Sequence, residues 1–377
     1  MIKYLSEANP TALRGVALLR LDSNAEDKWR LERSVPTIKF LRKRCSKIVV
    51  LSQRGRPVAV KISAGQPKNF EKRLSLRKDA LTLSRLLNKP VIFIPHFRFQ
   101  EIGEAIRKAK PGSIFVLENL RFLKGERAGS RLLAKTLASL GDFYVNDAFA
   151  VSHRADASVA AITKYLPSYA GFELENEIQN LSRVMTRPPK PLVILLGGVK
   201  AHDKAPVVRY FAAKANLFII GGALANTILK ARGMRIGKSI SDPHPGENVK
   251  KIMGYKNLLL PIDHAIQKGM ILDIGPQSIQ LFLQRIKTAR TIIWNGPMGV
   301  VERPAFRRGT LRVARAIVSN RRALTLAGGG ETVTFLRKYG LDKKFDFIST
   351  GGGAMLEFLA GKKLPGIEAL EKSKFKK

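Results

Sequence analysis

Glycines that follow short apolar runs are the residues of this chain whose spacing first suggests a chemistry. Each run ends in glycines and is followed by a helix-like pattern. Glycine lets the backbone approach a ligand closely, and a helix N-terminus presents N–H groups and partial positive charge to an anion. The runs are VILLGGVK (193–200), FIIGGALANT (218–227), TIIWNGPMG (291–299), LTLAGGGET (324–332) and DFISTGGGAM (346–355). Together they predict one sheet with a nucleotide-sized anion site along its edge.

The first half of the chain offers arginines and polar side chains after its apolar runs. These segments are RLDSN (20–24), SQRGRP (52–57), LENLRF (117–122) and VNDAFAVSHRADAS (145–158). Arginine binds carboxylate and phosphate groups with paired donors. We therefore expect one half to bind a small phosphorylated acid and the other a nucleotide. Such a pair suits phosphoryl transfer, which needs mostly positioning and positive charge.

Alternating β and α patterns must position these segments. Continuous apolar strands between amphipathic helices indicate parallel sheets covered on both faces, whose ligands bind beyond the carboxyl ends of the strands. The predicted strands are 15–21, 47–51, 91–95, 114–117, 143–146, 192–196, 217–220, 291–294, 324–327 and 345–348. The predicted helices lie near 31–43, 71–88, 132–140, 203–214, 276–288, 306–318 and 332–339. A helical stretch at 175–185 and the proline cluster at 186–191 mark the predicted domain boundary.

Length and composition set the broad class. A chain of 377 residues with 45% hydrophobic and 25% charged residues predicts a globular protein of two domains. The single cysteine, Cys45, excludes a disulfide framework, and without a long apolar run we expect no membrane segment and a cytoplasmic location.

The net charge of +38 leaves two interpretations open. One is nucleic-acid binding through phosphate contacts, and the other is solvated basic faces around an anionic substrate. A dinucleotide dehydrogenase is disfavoured, because no GxGxxG follows a strand with an acidic residue about 20 positions further on.

The motifs of this chain, in their order and spacing, resemble those of phosphoglycerate kinases over nearly its whole length. They are LENLRF, VNDAF followed by HRA, LLGGVK with DK, ANT, LDIGP, WNGPMGV and STGGGA. The resemblance implies an α/β fold of two Rossmann-like domains, with parallel β-sheets flanked by helices, joined by a helical hinge. It implies an N-terminal domain at 1–172 for the phosphoglycerate substrate, completed by 355–377. A hinge helix and linker would cover 173–190, and a nucleotide-binding domain 191–354.

The resemblance also implies a glycolytic enzyme, a phosphotransferase with a carboxyl group as acceptor. It would transfer a phosphoryl group reversibly between 1,3-bisphosphoglycerate and ADP, giving 3-phosphoglycerate and ATP, in line and after hinge closure. Mg²⁺ would arrive with ATP or ADP, and the protein would be a monomer without a membrane partner.

Seven residues occupy the family's substrate-side positions: Asp22, Asn24, Arg30, Gln53, Arg56, Arg121 and Arg154. The resemblance implies that Arg30 touches the transferring group, where its charge can stabilise the transition state. The three later arginines would hold the substrate's non-reacting phosphate. Asp22 and Asn24 would hold its carboxylate end and hydroxyl and orient Arg30.

The remaining matches belong to the nucleotide side: Gly197, Gly198, Lys200, Lys204, Gly221, Asn295, Glu302, Gly328, Gly329, Gly330, Glu331 and Thr332. Lys200 would guide the transferring phosphoryl group, and Glu302 would bind the ribose. Gly352 and Gly353 would begin a helix whose N–H groups meet the transferring group, so Arg30, Lys200, Gly352 and Gly353 form the implied catalytic set. Glu331 would face the magnesium ion, directly or through water.

Several positions depart from the family pattern. Glu331 replaces an aspartate, Gln53 a histidine and Ser23 a phenylalanine; the others are Ala150, Asp156, Ala223, Val301 and Met355. None removes an arginine or lysine of the implied site, which favours a working enzyme. The alternative is a catalytically weakened relative whose basic surface binds RNA or a ribonucleoprotein. The segment between Pro261 and Leu272 is short for the family, so we expect a surface hairpin to be missing.

Overall fold

The computed structural model describes residues 1–24, 28–57, 61–63, 66–68, 70–243 and 246–373. The chain divides into two compact units. Unit 1 comprises Met1–Ile178 and Lys363–Lys377, and unit 2 comprises Gln179–Lys362. The boundary therefore lies inside a helix. The division of roles between 1–172 and 191–354 stays a prediction, and residues 374–377 of the expected C-terminal segment lie outside the described residues.

Unit 1 is built on a sheet of six parallel strands in the order β5-β6-β2-β1-β7-β8. Its strands are β1 (Val16–Arg20), β2 (Lys47–Leu51), β3 (Lys61–Ser63), β4 (Gln66–Lys68), β5 (Ile92–Ile94), β6 (Ile114–Leu117), β7 (Phe143–Asn146) and β8 (Ser168–Ala170). Its helices, up to the one that enters unit 2, are α1 (Trp29–Arg42), α2 (Arg77–Leu87), α3 (Phe99–Lys108), α4 (Lys124–Arg127), α5 (Arg131–Ala138) and α6 (Phe172–Thr186). The short strands β3 and β4 pair with each other as a separate antiparallel ribbon.

Unit 2 repeats the architecture, with six parallel strands in the order β11-β10-β9-β14-β15-β16. Its strands are β9 (Leu192–Leu196), β10 (Leu217–Ile220), β11 (Leu258–Leu259), β12 (His264–Gln267), β13 (Met270–Ile274), β14 (Thr291–Asn295), β15 (Leu324–Gly328) and β16 (Phe347–Ile348). Its helices are α7 (Ala201–Phe211), α8 (Gly222–Ala231), α9 (Gly246–Ile252), α10 (Pro276–Thr288), α11 (Arg308–Ser319), α12 (Gly330–Lys338) and α13 (Gly352–Leu359).

The sequence explains why the central strands are parallel and interior. Every residue of β9 and β14 is buried, as expected when helices cover both faces of a sheet. In unit 1 the inward face of α1, which includes Leu31, Ile38 and Leu41, packs in the same cluster as Val50 of β2. Burial of such side chains contributes about 1.5–3 kcal/mol each.

After unit 2 the chain returns to unit 1 as α14 (Pro365–Glu371). The Gly366 N–H donates to the Ser152 carbonyl oxygen at 2.8 Å, and a Cβ at Gly366 would lie 2.8 Å from Val159 Cγ1. The glycine therefore permits this helix to dock closely.

The fold class and the predicted strands and helices are confirmed, but the helix predicted at 71–88 is shorter, Arg77–Leu87, and so is the strand predicted at 345–348, Phe347–Ile348. The expected loss of a hairpin is wrong: β12 and β13 form an antiparallel hairpin at 264–274. Among the described residues no helix has the length and apolar character needed to cross a bilayer.

Candidate functional site

In unit 1 the polar segments follow neighbouring strands at the carboxyl edge of the sheet. Strands β6, β2, β1 and β7 are adjacent and parallel, so the residues after Leu117, Leu51, Arg20 and Asn146 meet at one edge. The sheet topology thus brings together segments that lie far apart in the chain.

Asp22 is the centre of the contacts at this edge and is only 6% exposed. Its Oδ2 accepts a hydrogen bond from Arg30 Nη1 at 2.5 Å. Its Oδ1 accepts from Gln53 Nε2 at 2.5 Å and from the Asn24 N–H at 3.0 Å. Arg30 Nη1 also donates to the Asn24 carbonyl oxygen at 2.9 Å. The loop after β1 therefore fixes the guanidinium of Arg30, and Gln53 of the loop after β2 supports it through Asp22. The buried Nε of Arg30 has no hydrogen-bond partner within the described residues.

Gln53 supports Asp22 without carrying charge. It is fully buried, and its Oε1 has no hydrogen-bond partner in the described part of the chain. An amide can donate to the carboxylate at any pH, whereas an imidazole at the same position would titrate.

Arg121 is held among other cations. It is 6% exposed, and its Nη1 donates to the Gly55 carbonyl oxygen at 2.5 Å. Burial, followed by the charges of Arg154 and Arg20, lowers the pKa of Arg121 to about 10, while Asp156 acts in the opposite direction. Its buried Nε has no hydrogen-bond partner among the described residues. A bound anion would relieve both the repulsion and the unpaired donor.

The other predicted substrate residues lie on the same loops. Asn24 is exposed, and its Oδ1 accepts from the Gly55 N–H at 2.8 Å. Arg56 follows Gly55 and is exposed, and Arg154 is half-buried. The loop after β2 is therefore tied both to Asn24 and to Arg121.

Sequence reasoning missed Asn119, which positions two of these loops. Asn119 is fully buried, and its Oδ1 accepts from the N–H groups of Arg54 and Arg121 at 3.2 and 3.1 Å. Its Nδ2 donates to the carbonyl oxygens of Arg54 and Leu74 at 2.8 and 2.9 Å. Its place inside the LENLRF motif was the available signal.

In unit 2 all five glycine segments lie at the carboxyl edge of the sheet, after β9, β10, β14, β15 and β16. The turns are tied to each other through the backbone. The Gly197 N–H donates to the Asn295 carbonyl oxygen at 2.9 Å, and the Gly198 N–H donates to that of Pro297 at 2.9 Å. The Gly296 N–H donates to Thr332 Oγ1 at 2.9 Å, which gives the buried Thr332 a structural contact.

The glycines of this edge fall into two groups. A Cβ at Gly197 would collide with the Pro297 carbonyl oxygen, one at Gly221 would lie 2.5 Å from Met298 Sδ, and one at Gly328 would collide with Met355 Sδ. These three are required by packing. By contrast, a Cβ at Gly330 or Gly353 would meet no atom of the described residues within 4 Å.

Four helices begin at this edge without a side-chain cap in the described structure. Their N-cap residues are Lys200 for α7, Gly221 for α8, Gly329 for α12 and Gly351 for α13. The first N–H groups of a helix need partners, and an anion can supply them. A Cβ at Gly352 would lie 3.6 Å from Gly329 Cα, so the beginnings of α12 and α13 are neighbours.

Charged side chains accompany these helix ends. Lys200 is exposed, whereas Lys204 is 6% exposed and its Nζ donates to the Lys200 carbonyl oxygen at 3.3 Å. Burial lowers the pKa of Lys204; the charges of Asp203 and Glu331 oppose that shift, and the charge of Lys200 adds to it. The edge thus concentrates positive charge where the helices begin.

Asn295 ends β14 beside the same turn. It is 4% exposed, and its buried Nδ2 has no hydrogen-bond partner within the described residues. A Cβ at Gly329 would lie 3.1 Å from that nitrogen. An acceptor placed over the glycine turn could pair with it.

A cavity of about 290 Å³ opens next to these turns. Gly198, Glu302 and Glu331 line it, and so do Asn226, His264 and Asp273, which the site prediction did not include. The ANT and LDIGP motifs contain Asn226 and Asp273, but no sequence signal pointed to His264.

The residues fit a magnesium ion that arrives with phosphate. In the described ranges no group of three or more His, Cys, Asp or Glu side chains could hold a metal. Glu331 is an exposed carboxylate whose Oε2 lies 3.8 Å from the position of a Cβ on Gly198. Magnesium is commonly bound by one or two carboxylates together with substrate phosphates and water.

Comparison with known proteins gives one family. The family model described as phosphoglycerate kinase matches residues 17–362. The phosphoglycerate kinase of Dictyoglomus turgidum is 39% identical, over 94% of this chain and 95% of its own length. That of Geobacter metallireducens is 40% identical, over 99% of both chains.

Solved structures agree. The phosphoglycerate kinase from Coxiella burnetii has a TM-score of 0.80 and 34% identity, and covers 99% of both chains. That from Pyrococcus horikoshii has a TM-score of 0.83 and 28% identity, with the same coverage.

Proposed function

The chain belongs to the phosphoglycerate kinase family, and from that membership we propose how its two sheet edges share one reaction. Its function is that of a phosphoglycerate kinase: reversible phosphoryl transfer between 1,3-bisphosphoglycerate and ADP, giving 3-phosphoglycerate and ATP. We propose that the acceptor is the carboxyl group of 3-phosphoglycerate. The observation that carries the placement of the nucleotide phosphates is the pair of glycine-led helices α12 and α13 in unit 2. Neither has a side-chain cap in the described structure, and a Cβ at Gly330 or Gly353 would meet no described atom within 4 Å.

On the substrate side, the cationic group around Arg121 and Arg154 binds the phosphate that does not react. Arg121 offers an unpaired buried Nε, and repulsion between the two cations falls when a dianion binds. Arg56, exposed on the neighbouring loop, adds a third cation. Fixing this phosphate places the other end of the substrate toward Asp22 and Arg30.

Arg30 contacts the transferring group, and Asp22 sets its orientation. The bond of 2.5 Å between Arg30 Nη1 and Asp22 Oδ2 holds the guanidinium in place before substrate binds. A preorganised cation stabilises charge on the transferring group with little reorganisation. The acceptor carboxylate is already an anion, so no residue needs to act as a general base.

On the nucleotide side, the N-termini of α12 and α13 and the side chains of Lys200, Lys204 and Asn295 bind the phosphates. Lys200, exposed at the start of α7, moves with the transferring group. Glu302, which lines the cavity, binds the ribose. When bound with the nucleotide, a magnesium ion supplies positive charge to the phosphate oxygens, and Glu331 is the carboxylate available to hold it.

The transfer requires that both sets of residues act on one phosphoryl group. We propose that hinge closure at α6 makes this possible. The RNA-binding alternative receives no support from the comparisons and is not retained. The monomeric state and the cytoplasmic location stay predictions.

A direct assay tests the proposal. The purified chain is incubated with MgATP and 3-phosphoglycerate, and ADP formation is followed through a coupled reaction. We expect turnover with 3-phosphoglycerate and a large loss of kcat/KM with glycerate, which has the carboxylate but lacks the phosphate bound by Arg121. Absence of turnover with 3-phosphoglycerate would refute the function, and equal turnover of glycerate would refute the role of the arginines.

A further inference from the structure

Two arginines that we assign to the non-reacting phosphate come from different segments of unit 1. Arg121 lies shortly after β6, and Arg154 lies on the segment after β7. Burial and then the charge of Arg154 lower the pKa of Arg121, so the two cations repel each other. Segments that carry like charges move apart unless other bonds hold them. The contacts of the two segments therefore show what fixes the spacing of the guanidinium groups.

Glu126 connects the segment of Arg154 to the helix that follows Arg121. Glu126 belongs to α4 and is fully buried. Its Oε1 accepts a hydrogen bond from Ser158 Oγ at 2.5 Å, and its Oε2 accepts one from the Ser158 N–H at 3.1 Å. Its carbonyl oxygen accepts a third from the Ala157 N–H at 2.8 Å. Three hydrogen bonds from two adjacent residues therefore fix the segment shortly beyond Arg154.

Ser158 also connects this segment to the first strand. Its Oγ accepts from Arg20 Nε at 2.8 Å while it donates to Glu126, so one hydroxyl acts as acceptor and donor at once. Arg20 ends β1, and its Nη1 donates to the Leu21 carbonyl oxygen at 2.5 Å. The hydroxyl therefore links the segment after β7 both to α4 and to the loop after β1.

These three residues form a junction that is closed to solvent. Arg20, Glu126 and Ser158 are all fully buried, and Arg20 Nη2 lies 3.7 Å from Glu126 Oε1. Burial raises the pKa of Glu126, and the charge of Arg20 and the hydrogen bonds from Ser158 oppose that rise. Removal of the hydroxyl would take a partner from both charged groups, so the buried side chains would rearrange. Because the junction is buried, it can influence a ligand only through the residues that it holds.

We propose that Ser158 is a positioning residue that, together with Glu126, holds Arg154 at the spacing from Arg121 that the substrate phosphate requires. The inference rests on the proposed function, because it assumes that these arginines bind that phosphate. A displacement of about 1 Å can change a rate by about 10²-fold, so a loosened segment should alter substrate affinity. Nucleotide binding at the edge of unit 2 should not respond.

The experiment removes the hydroxyl with Ser158→Ala and uses Ser168→Ala as the matched control. Ser168 is also a buried serine of unit 1, on β8, and its Oγ donates to the Leu166 carbonyl oxygen at 2.8 Å. A gentler variant, Tyr144→Phe, removes the hydrogen bond of 2.8 Å from Tyr144 Oη to the Ser158 carbonyl oxygen. For each protein we would measure kcat, the KM for ATP, and the KM and calorimetric Kd for 3-phosphoglycerate. Fluorescence of Trp29 verifies that unit 1 is folded.

A double-mutant cycle identifies the residue through which the hydroxyl acts. Ser158→Ala is combined with Arg154→Ala, which removes the guanidinium that Ser158 is proposed to hold. If the effect passes through Arg154, adding Ser158→Ala to Arg154→Ala should raise the KM for 3-phosphoglycerate by less than about twofold.

We expect Ser158→Ala to raise the KM and Kd for 3-phosphoglycerate about tenfold, and Tyr144→Phe about threefold, while kcat and the KM for ATP change by less than about twofold. Ser168→Ala should leave all of these values within about twofold.

Unchanged affinity for 3-phosphoglycerate in Ser158→Ala would overturn the inference, and Tyr144→Phe decides in the same way if Ser158→Ala does not fold. An equal loss in Ser168→Ala, an equal rise in the KM for ATP, or a full tenfold effect in the Arg154→Ala background would also overturn it. Failure of the proposed function would instead appear as absent turnover in the unsubstituted protein, before any variant is compared.

Discussion

The two sheet edges of this molecule share one topology but differ in the groups that form them, side chains in unit 1 and mainly backbone N–H groups in unit 2. Both units place loops at the carboxyl edge of six parallel strands. Unit 1 fills its edge with side chains that hold one another, such as Asp22, Arg30 and Gln53. Unit 2 relies largely on backbone N–H groups at helices that have no side-chain cap in the described structure, with Lys200 and Lys204 beside them. A single side-chain substitution should therefore remove a function from the first edge, whereas the second should respond mainly to added atoms.

The largest effect is expected from Arg30→Ala in unit 1. Loss of a preorganised cation at the transferring group should lower kcat by about 10²–10³-fold. Calorimetry should show unchanged ATP binding, because we propose that the nucleotide binds at the edge of unit 2. Arg85→Ala, an exposed arginine on α2, is the control and should keep full activity. Full activity in Arg30→Ala would remove the assigned role.

A pair of alanines tests the glycine edge of unit 2. Gly353→Ala should lower kcat about 10- to 100-fold, since a methyl group would displace the transferring group. Its unfolding free energy should stay equal or rise by up to about 1 kcal/mol, because alanine suits a helix better. Gly328→Ala should instead destabilise unit 2 by about 1–3 kcal/mol, because its Cβ meets Met355.

The fluorescence of Trp294, on the strand next to Gly328, reports unfolding of unit 2. Equal destabilisation by Gly328→Ala and Gly353→Ala would contradict the division into packing and ligand-facing glycines.

The smallest effect concerns pH and separates the units. Burial raises the pKa of Asp147 to about 6. The carboxylate accepts hydrogen bonds from the N–H groups of Glu173 and Leu174 at the start of α6, and these bonds oppose the rise. Burial and the charge of Glu177, with a further contribution from Asp147, also raise the pKa of Glu173. A carboxyl whose folded pKa is raised stabilises the fold when protonated, and that stabilisation is lost as pH rises through about 6.

Asp147→Asn should therefore reduce the gain in unfolding free energy between pH 7 and pH 5 by about 1 kcal/mol. Trp29 in unit 1 should report the change in a background where Trp294 is replaced by phenylalanine. Asp273 is the counterpart in unit 2, because burial raises its pKa to about 6. Asp273→Asn should alter the pH dependence of unfolding measured by Trp294 fluorescence and leave that measured by Trp29 fluorescence unchanged. A wild-type pH response in Asp147→Asn would show that its carboxyl is not the group that titrates.

Periodicity and the glycine and proline signals predicted the sheets, because continuous apolar runs such as LVILL at 192–196 leave few alternatives to a covered strand. The ten-residue helix α3 (Phe99–Lys108) was not predicted, and several short elements also escaped prediction. Strand β11 has two residues, and the hairpin of β12 and β13 exposes Ile262 and Ile266 nearby, so neither shows a clear periodicity.

The residues of the candidate site could be predicted from the sequence where they belong to a recognisable motif, but not where only tertiary contacts position them. Arg30 and Asp22 belong to recognisable patterns, and the structure joins them. Asn119 is positioned by tertiary contacts that no local spacing encodes, because it bridges two loops.

The return of α14 to unit 1 has a consequence for biosynthesis. Unit 2 is one continuous stretch, Gln179–Lys362, inserted into a unit whose remaining part, Lys363–Lys377, is translated after it. On the ribosome, unit 2 can finish folding while unit 1 still lacks the helix that docks near Ser152 and Val159. Unit 1 therefore begins first and is completed after unit 2, and a chain that stops before α14 would lack part of unit 1 while unit 2 is whole.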